Sequence, residues 1–369
     1  MKQDIFWCKK CLAASTRPRV TFDASGLCNA CVWSEEKGKI DWKKREDELK
    51  KLLDKFRSNN KDFDVVVPVS GGKDGSYIAY NLKHKYGMNP LCVTVNPHLP
   101  SEVGTLNLKN FCQSGYDLVS IDPNYNLLRD LNKYGFFKMG MGYWGWLLGI
   151  FTIPPIIADR FNIPLVFYAE DGEVEYGGRK ESSDTFLFDA DYIKKIYVED
   201  GYETILNESN FKKYNLDFFS FPKFKNKIQL THWSYFENWD PYRNYLVAKE
   251  NCGLIDSDRN NEGTFTNFAQ NDQILCDLHY YLMYLKFGFG RSTQDASIEI
   301  RRGAMSREQG INLVNLFDGK YPENSIIKII DYYEIYRKDF DDNIDKWVNK
   351  KLFQKNSNTK IWEPKFKVI

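Results

Sequence analysis

The sequence predicts an α/β protein with a parallel sheet at its centre, a cysteine-rich N-terminal module and a mainly helical C-terminal region. Short β-branched runs alternate with helical patterns between residues 61 and 169, four cysteines fall within residues 1–35, and charged-aromatic helical patterns fill residues 261–369. Strands that alternate with helices imply parallel pairing with crossover helices on the faces of the sheet. A chain of 369 residues is long enough for a large core and one or two smaller units.

Four regions follow from these patterns. Residues 1–35 have little apolar periodicity, so this module needs a cross-link or a metal to fold. Residues 36–60 contain leucines at helical spacing among charges, which predicts a linker helix with one apolar stripe. Residues 61–260 form the α/β core, including an aromatic and lysine-rich insertion at 184–260. Residues 261–369 form the helical region, which we expect to complete the ligand site.

Within the core, apolar runs bounded by turn residues predict the strands. These runs are residues 63–69, 91–95, 117–121 and 164–169. Helical patterns at 77–86 and near 103–112 separate the first three runs. Residues 139–158 are mostly apolar, but they contain four glycines and a Pro-Pro pair, which favours a glycine-rich loop and a broken helix over a membrane span.

Composition excludes several classes of protein. The 51 basic residues nearly cancel the 50 acidic ones, so the net charge of +1 gives no global attraction to nucleic acid or anionic membrane. Apolar residues make up 43% of the chain, which indicates a packed globular protein rather than a disordered one. The first residues lack the apolar segment of a secretory signal, so we expect a cytoplasmic protein.

Two CxxC pairs near the N-terminus predict a metal site. Cys8 pairs with Cys11 and Cys28 with Cys31, and sixteen residues separate the pairs. This is the spacing of a zinc ribbon, in which four thiolates surround one ion at Zn–S distances of about 2.3 Å. Two disulfides, which a reducing cytosol disfavours, and an iron–sulfur cluster are the alternatives. A closed four-sulfur site leaves no open position for catalysis, so we expect structural zinc.

A glycine-rich segment between a predicted strand and a predicted helix suits a polyphosphate. Gly71 and Gly72 let the backbone approach a ligand, and the unpaired N–H groups at the start of the helix attract negative charge. Ser70 and Ser76 add hydroxyl groups that can donate to the same phosphates. A bare glycine turn is the alternative.

Two charged residues in the same segment refine this prediction. Lys73 supplies a mobile positive charge for phosphate. A carboxylate such as Asp74 beside phosphates is explained if it helps to hold Mg²⁺, because this ion is bound by carboxylate and phosphate oxygens together. The phosphate loop of kinases and GTPases is absent, so transfer of the γ-phosphoryl group has little support.

The segment from Ser70 to Ser76 resembles the S-G-G-x-D-S pyrophosphate loop of the adenine-nucleotide α-hydrolase-like superfamily, also described as PP-loop ATP pyrophosphatases with a HUP-like fold. Gly75 stands where many members have serine, and Ser76 follows one place later. The resemblance implies cleavage of ATP between its α- and β-phosphates and an adenylated intermediate formed from a substrate oxygen.

Further segments resemble the N-acetyl sugar amidotransferases over most of the chain. These segments are the cysteine ribbon, residues 169–172, 175–178, 263–267, 286–291 and 295–303. The family converts an N-acetyl group of a nucleotide-linked or nonulosonic sugar into an acetamidino group during synthesis of bacterial surface polysaccharide or flagellin glycans, including pseudaminic acid. The resemblance therefore implies ATP, Mg²⁺ and an N-acetylated sugar as ligands.

An amidotransferase also needs ammonia. The chain begins Met-Lys rather than with a processed cysteine nucleophile, and it shows no recognisable glutaminase triad. The resemblance implies a separate glutaminase and a channelling subunit like those of imidazole-glycerol-phosphate synthase. Neither nucleic acid nor membrane insertion is expected.

Acidic residues after the last predicted core strand are further site candidates. Glu170 and Asp171 lie where ligands of open α/β sheets gather, and we predict that they bind metal or substrate. An acidic turn is the alternative. Tyr176, Gly177 and Gly178 are predicted to contact the sugar, although glycines in a mere turn would look the same.

Three arginines complete the predicted site. Arginine binds phosphate and carboxylate groups through two parallel hydrogen bonds. We assign Arg291 to the nucleotide and Arg301 and Arg302 to the sugar, with solvated or structurally paired arginines as the alternative.

A tRNA-thiolating enzyme is the main rival, because it shares the pyrophosphate loop and an N-terminal ribbon. Such enzymes commonly carry a further downstream cysteine pair, whereas both CxxC pairs here lie inside the ribbon. The net charge of +1 also gives little support for binding tRNA. A nucleotide sensor or scaffold without catalysis is a third alternative, which the presence of both Lys73 and Asp74 disfavours.

Overall fold

A computed structural model describes residues 5–58, 62–179, 183–198, 201–208, 210–359 and 361–369. Its central sheet has five strands in the order β3-β2-β1-β4-β5, and all neighbouring strands are parallel. The strands are β1 (Val65–Pro68), β2 (Pro90–Val95), β3 (Asp117–Ile121), β4 (Leu165–Tyr168) and β5 (Gln229–His232). The predicted parallel sheet is confirmed, and β5 is a strand within the insertion that the sequence patterns did not reveal.

Helices cover both faces of this sheet. The helices of the N-terminal part and the core are α1 (Asn29–Glu36), α2 (Trp42–Phe56), α3 (Lys73–Tyr80), α4 (Glu102–Gln113), α5 (Tyr125–Met139), α6 (Trp144–Arg160), α7 (Gly172–Tyr176), α8 (Ala190–Ile196), α9 (Tyr202–Leu206) and α10 (Pro241–Asn251). Side chains alternate across a strand, so Val65 and Val67 pack with α2 and α3, whereas Val66 packs with α6 on the other face.

Helix α6 corrects one prediction. It runs without a break through Pro154 and Pro155, which the sequence patterns placed in a broken helix. A proline has no N–H group, so Pro155 leaves the carbonyl of Phe151 without its helical partner. The hydroxyl of Tyr168 donates to that oxygen at 3.4 Å, which compensates for the missing bond. Among the described residues, no helix combines the length and the apolar character needed to cross a membrane.

The C-terminal region is helical, as predicted, and ends in a short hairpin. Its elements are α11 (Leu275–Phe287), α12 (Arg291–Arg301), α13 (Arg307–Phe317), α14 (Glu323–Tyr333), α15 (Arg337–Trp347), β6 (Phe353–Lys355) and β7 (Trp362–Pro364). Helices α11, α14 and α15 share one apolar core with Phe136 of α5 and with Ile5, Trp7 and Ala14 from the N-terminal module.

The cysteine module is therefore packed against the C-terminal helices rather than independent. Leu12 is buried against Ala296 of α12 and Val314 of α13. The backbone N–H of Leu12 donates to Ser297 Oγ at 3.2 Å, and Arg307 Nη2 donates to the carbonyl of Cys8 at 3.2 Å. The fold class, with its parallel core, N-terminal cysteine cluster and helical C-terminal region, is confirmed.

Candidate active site

The strand order creates a crevice between β1 and β4. From β1 the chain moves outwards to β2 and β3 and then returns to β4 on the opposite side of β1. The segments that follow β1 and β4 consequently diverge at the carboxyl edge of the sheet, and ligands of open α/β sheets bind at such a point. The segment after β1 is the glycine-rich loop, and the segment after β4 begins with Ala169 and Glu170.

Glycines shape the loop in front of α3. Gly71 has a φ of 79°, and a Cβ atom there would lie 2.4 Å from the backbone nitrogen of Leu108 in α4. A Cβ on Gly75 would lie 2.8 Å from the carbonyl oxygen of Pro68, so this position brings α3 close to β1. Gly72 precedes α3 without a side-chain cap, which leaves the first N–H groups of the helix for an anion.

Lys73 and Asp74 form an ion pair in the first turn of α3. Their side chains are 12% and 23% exposed. Asn244 of α10, which is fully buried, donates from Nδ2 to Asp74 Oδ1 at 3.0 Å and fixes the carboxylate. Asn244 was not predicted, since it lies in a segment without periodicity and reaches the site only through the packing of α10 on α3.

Glu170 faces the same pair of charges from the end of β4. Tyr176 donates its hydroxyl to Glu170 Oε1 at 3.0 Å. Burial raises the pKa of Glu170, and the charge of Asp74 raises it further, whereas Lys73 opposes both effects. Two carboxylates that influence each other beside an open helix N-terminus are a donor set suited to a divalent cation such as Mg²⁺.

A cavity that is partly open to solvent unites these groups with the C-terminal helices. Arg291 of α12 lies in its wall and pairs with Asp295 at 2.7 Å. Asp295 also accepts from the hydroxyl of Thr264 at 2.6 Å. Predicted residues in the cavity wall are Lys73, Asp74, Glu170, Tyr176, Arg291 and Arg301.

The two remaining predicted arginines differ in position. Arg301 lines the cavity and donates from Nη1 to Cys11 Sγ at 3.7 Å, so it joins the cavity to the cysteine cluster. Arg302 is not part of this cavity wall, and it pairs with Glu299 at 2.7 Å and with Asp240 at 3.4 Å. Arg302 therefore has the arrangement of a structurally paired arginine, which is the alternative to sugar binding.

Several other predicted site residues lie outside the cavity wall. Ser76 lies within α3, is fully buried and is not part of the cavity wall. Gly177 ends α7 with a φ of 89° and packs against Asn29 and Ala30 of the cysteine module. The carbonyl of Gly178 accepts from Asn29 Nδ2 at 3.0 Å. These two glycines connect α7 to the module instead of meeting the cavity that holds Lys73.

Asp171, for which the sequence predicts a role in binding metal or substrate, caps the start of α7 in the structure. One of its oxygens accepts from the backbone N–H of Glu173 at 3.0 Å and of Val174 at 3.4 Å. The hydroxyls of Tyr197 and Tyr192 donate to the same carboxylate at 2.9 and 3.2 Å. The carboxylate is buried, and its oxygens are committed to these donors.

We expect Asp171→Ala to lower the free energy of unfolding by about 2–4 kcal/mol, because it removes a helix cap and leaves buried hydroxyls without an acceptor. The affinity for ATP should not change. Urea denaturation followed by circular dichroism and calorimetric titration with ATP measure the two effects. Asp191→Ala, at a side chain that is 88% exposed, is the control. Lost ATP affinity at full stability would instead give Asp171 a place in the site.

The four predicted metal ligands converge. Cys8, Cys11, Cys28 and Cys31 are fully buried, and their Sγ atoms lie within 4.8 Å of one another. Two of the separations are 3.7 and 3.6 Å. A tetrahedral zinc ion with Zn–S bonds of about 2.3 Å holds its sulfur atoms about 3.8 Å apart. The spacing fits a single ion, whereas a four-iron cluster is larger and holds its thiolates farther apart.

Comparisons with known proteins add to this geometry. Residues 262–367 match the family model described as the C-terminal domain of WbpG-like lipopolysaccharide biosynthesis proteins. An uncharacterized protein of Methanocaldococcus jannaschii is 27% identical over 133 residues, which is 35% of this chain and 47% of that protein. The match therefore spans about half the length of that relative.

Among solved structures, the U34-tRNA thiolase NcsA of Methanococcus maripaludis with its 4Fe-4S cluster is similar to this chain. The similarity covers 81% of this chain and 86% of the thiolase, with 16% sequence identity and a TM-score of 0.31. At this level the similarity decides neither the chemistry nor the substrate.

Proposed function

We propose that this chain is an ATP-dependent, AMP- and pyrophosphate-forming amidotransferase that converts an N-acetyl group of a sugar into an acetamidino group. We place it in the biosynthesis of a bacterial surface glycan such as lipopolysaccharide O-antigen or a flagellin glycan. One observation carries the proposal: the wall opposite Lys73, Asp74 and Glu170 is formed by Arg291, Asp295 and their neighbours, which belong to the region that matches the WbpG-like domain.

The chemistry balances with the groups present. The amide oxygen of the sugar attacks the α-phosphorus of ATP, an O–P bond forms, and the bond between the α- and β-phosphates breaks to release pyrophosphate. Ammonia then adds to the activated carbon, the C–O bond breaks, AMP leaves with the oxygen, and a proton is released. An amide is a poor electrophile, so adenylation of its oxygen is what makes attack by ammonia feasible.

Residues of this chain have distinct tasks in that reaction. Lys73 and the free N–H groups at the start of α3 bind the departing pyrophosphate. Asp74 and Glu170 would hold a magnesium ion, whose charge offsets that of the phosphates. Tyr176 orients Glu170 through its hydrogen bond of 3.0 Å. The partly enclosed cavity limits access of water, which would compete with ammonia.

Two further parts of the proposal concern metal and partners. The ion of the cysteine cluster is zinc, and it is structural, because the four thiolates fill its coordination sphere. Ammonia comes from a separate glutaminase and passes through a channelling subunit, because the sequence shows no recognisable glutaminase triad.

We expect AMP release from ATP that depends on both ammonium chloride and an N-acetylated sugar. The test measures AMP and pyrophosphate with a panel of sugar nucleotides and nonulosonates, and mass spectrometry follows replacement of O by NH. Glu170→Gln should lower this activity about 100-fold, because it removes one carboxylate of the cation site. Glu250→Gln, an exposed residue of α10, is the matched control.

Two other outcomes would contradict the amidotransferase proposal. AMP release that requires tRNA and a sulfur donor would favour the thiolase. ATP binding that does not depend on sugar, with no release of AMP under any condition, would favour a nucleotide sensor.

A further inference from the structure

A second cavity adjoins the first one. It is larger than the first cavity and is also partly open to solvent. Arg17, Phe289 and Gln294 line both cavities. These three side chains lie between the two cavities, so Arg17 can contact a ligand on either side of them.

The second cavity combines apolar surface with cations. Aromatic and sulfur-containing side chains, including Trp144 and Met283, form much of its wall. Two of its cations already have partners, since Arg19 pairs with Glu173 and Lys286 donates to the carbonyl of Met139 at 2.8 Å. Because their charges are already paired or hydrogen-bonded, these two cations attract a further anion less strongly.

Arg17 differs from these cations. Within the described parts of the chain, its guanidinium group has no hydrogen bond or ion pair, whereas Arg291 has Asp295 at 2.7 Å. Burial, and secondly the positive charge of Arg301, lower the pKa of Arg17 to about 10, so Arg17 stays charged at neutral pH. Glu173, which lines the second cavity together with Arg17, favours the charged form from beyond ion-pairing distance. A charge that is partly removed from water, has no direct ion pair in the described parts of the chain and lies beside a second arginine is stabilised further by a bound anion.

We propose that Arg17 binds the negative charge of the acceptor sugar and that the second cavity holds the part of the acceptor beyond that charge. This inference rests on the proposed function, in which the acetamido group lies in the first cavity. The charge is either a diphosphate that links the sugar to a carrier or a carboxylate on the sugar itself. Both groups accept two parallel hydrogen bonds from a guanidinium.

The test is calorimetric binding of three probes: UDP-N-acetylglucosamine for the diphosphate, N-acetylneuraminic acid for the carboxylate and N-acetylglucosamine as the neutral sugar. We expect one anionic probe to bind more tightly than the neutral sugar, and Arg17→Gln to raise its Kd about 10- to 100-fold. Arg17→Lys should restore part of the affinity, since it keeps the charge but loses the second hydrogen bond. Arg337→Gln, at a side chain that is 48% exposed, is the control.

Each outcome bears on the inference. The preferred anionic probe identifies the source of the charge. Equal affinities of the wild type and Arg17→Gln, or no preference for either anion over the neutral sugar, would overturn it. ATP titrations of the same variants separate the two proposals. If the wild type binds ATP but Arg17→Gln does not weaken binding of the sugar probes, only this inference is contradicted. If the wild type does not bind ATP, the proposed function is contradicted as well.

Discussion

Lys73→Met should abolish most pyrophosphate release. Lys73 starts α3 at the carboxyl edge of the sheet, and its side chain is 12% exposed, so water screens its charge poorly. Removing one fixed donor from a site where negative charge develops typically lowers kcat about 100- to 1000-fold. A coupled pyrophosphate assay at saturating sugar and ammonium measures kcat and the KM for ATP separately.

Asp74→Asn tests the other half of this pair with little change in shape. The amide oxygen of the new side chain can still accept the hydrogen bond from Asn244, which is 3.0 Å long in the structure. The negative charge that would hold Mg²⁺ is lost, so we expect weaker binding of Mg²⁺, seen as a higher Mg²⁺ concentration for half-maximal activity. We also expect a loss of activity similar to that of Lys73→Met.

Lys51→Met, an exposed position in α2, is the matched control for the lysine substitution. Full activity of a folded Lys73→Met variant would mean that the loop does not bind the departing pyrophosphate. If Lys73→Met has a lower melting temperature than the wild type and the control does not, the kinetics should be measured on the smaller substitution Lys73→Arg instead.

The core was largely predictable because local patterns determine it. Unbroken apolar runs identified β2 and β4, which are buried on both faces of the sheet. Strand β5 has the sequence Gln-Leu-Thr-His, which is not an apolar run, and it lies at the edge of the sheet beside β4, so no local pattern marks it. Similarly, the carbonyl that Pro155 leaves without a partner accepts from the hydroxyl of Tyr168, which belongs to a different element and which no local pattern reveals.

The site was predictable only where one rule about parallel sheets applies. Lys73 and Glu170 are 97 positions apart in the sequence, yet both follow strands at the same edge, so that rule placed them together. Arg17 and Asn244 enter through packing of distant elements, which no local pattern describes. Asp171 adjoins Glu170 in sequence, but its side chain caps the start of α7 by accepting from the backbone N–H groups of Glu173 and Val174.

Loss of the cysteine cluster should destabilise more than the module that contains it. The purified protein should contain one zinc ion per chain and no iron, and Cys31→Ser should lose the metal. Structural zinc contributes about 10–16 kcal/mol to the folding of isolated zinc-finger peptides. Here the cost is expected to be lower, because the module is also held by Leu12 against α12 and α13.

The metal also affects the cavity through its neighbours. Four thiolates and one Zn²⁺ carry a net negative charge, and Arg301 donates to Cys11 at 3.7 Å while lining the cavity. Ala13, Ala14 and Arg17 lie in the same wall and come from the module itself. We expect loss of the ion to disorder this wall, so Cys31→Ser should lower the melting temperature and weaken sugar binding together.

Cys112→Ser provides the matched control, since Cys112 is a partly exposed cysteine of α4 outside the cluster. Elemental analysis by mass spectrometry and differential scanning calorimetry measure metal content and melting temperature for both variants. Iron with acid-labile sulfide in the wild type would contradict zinc and would be hard to reconcile with thiols 3.6 and 3.7 Å apart. A Cys31→Ser variant that loses its metal but keeps both its melting temperature and its sugar affinity would show that the wall of the cavity folds without the ion.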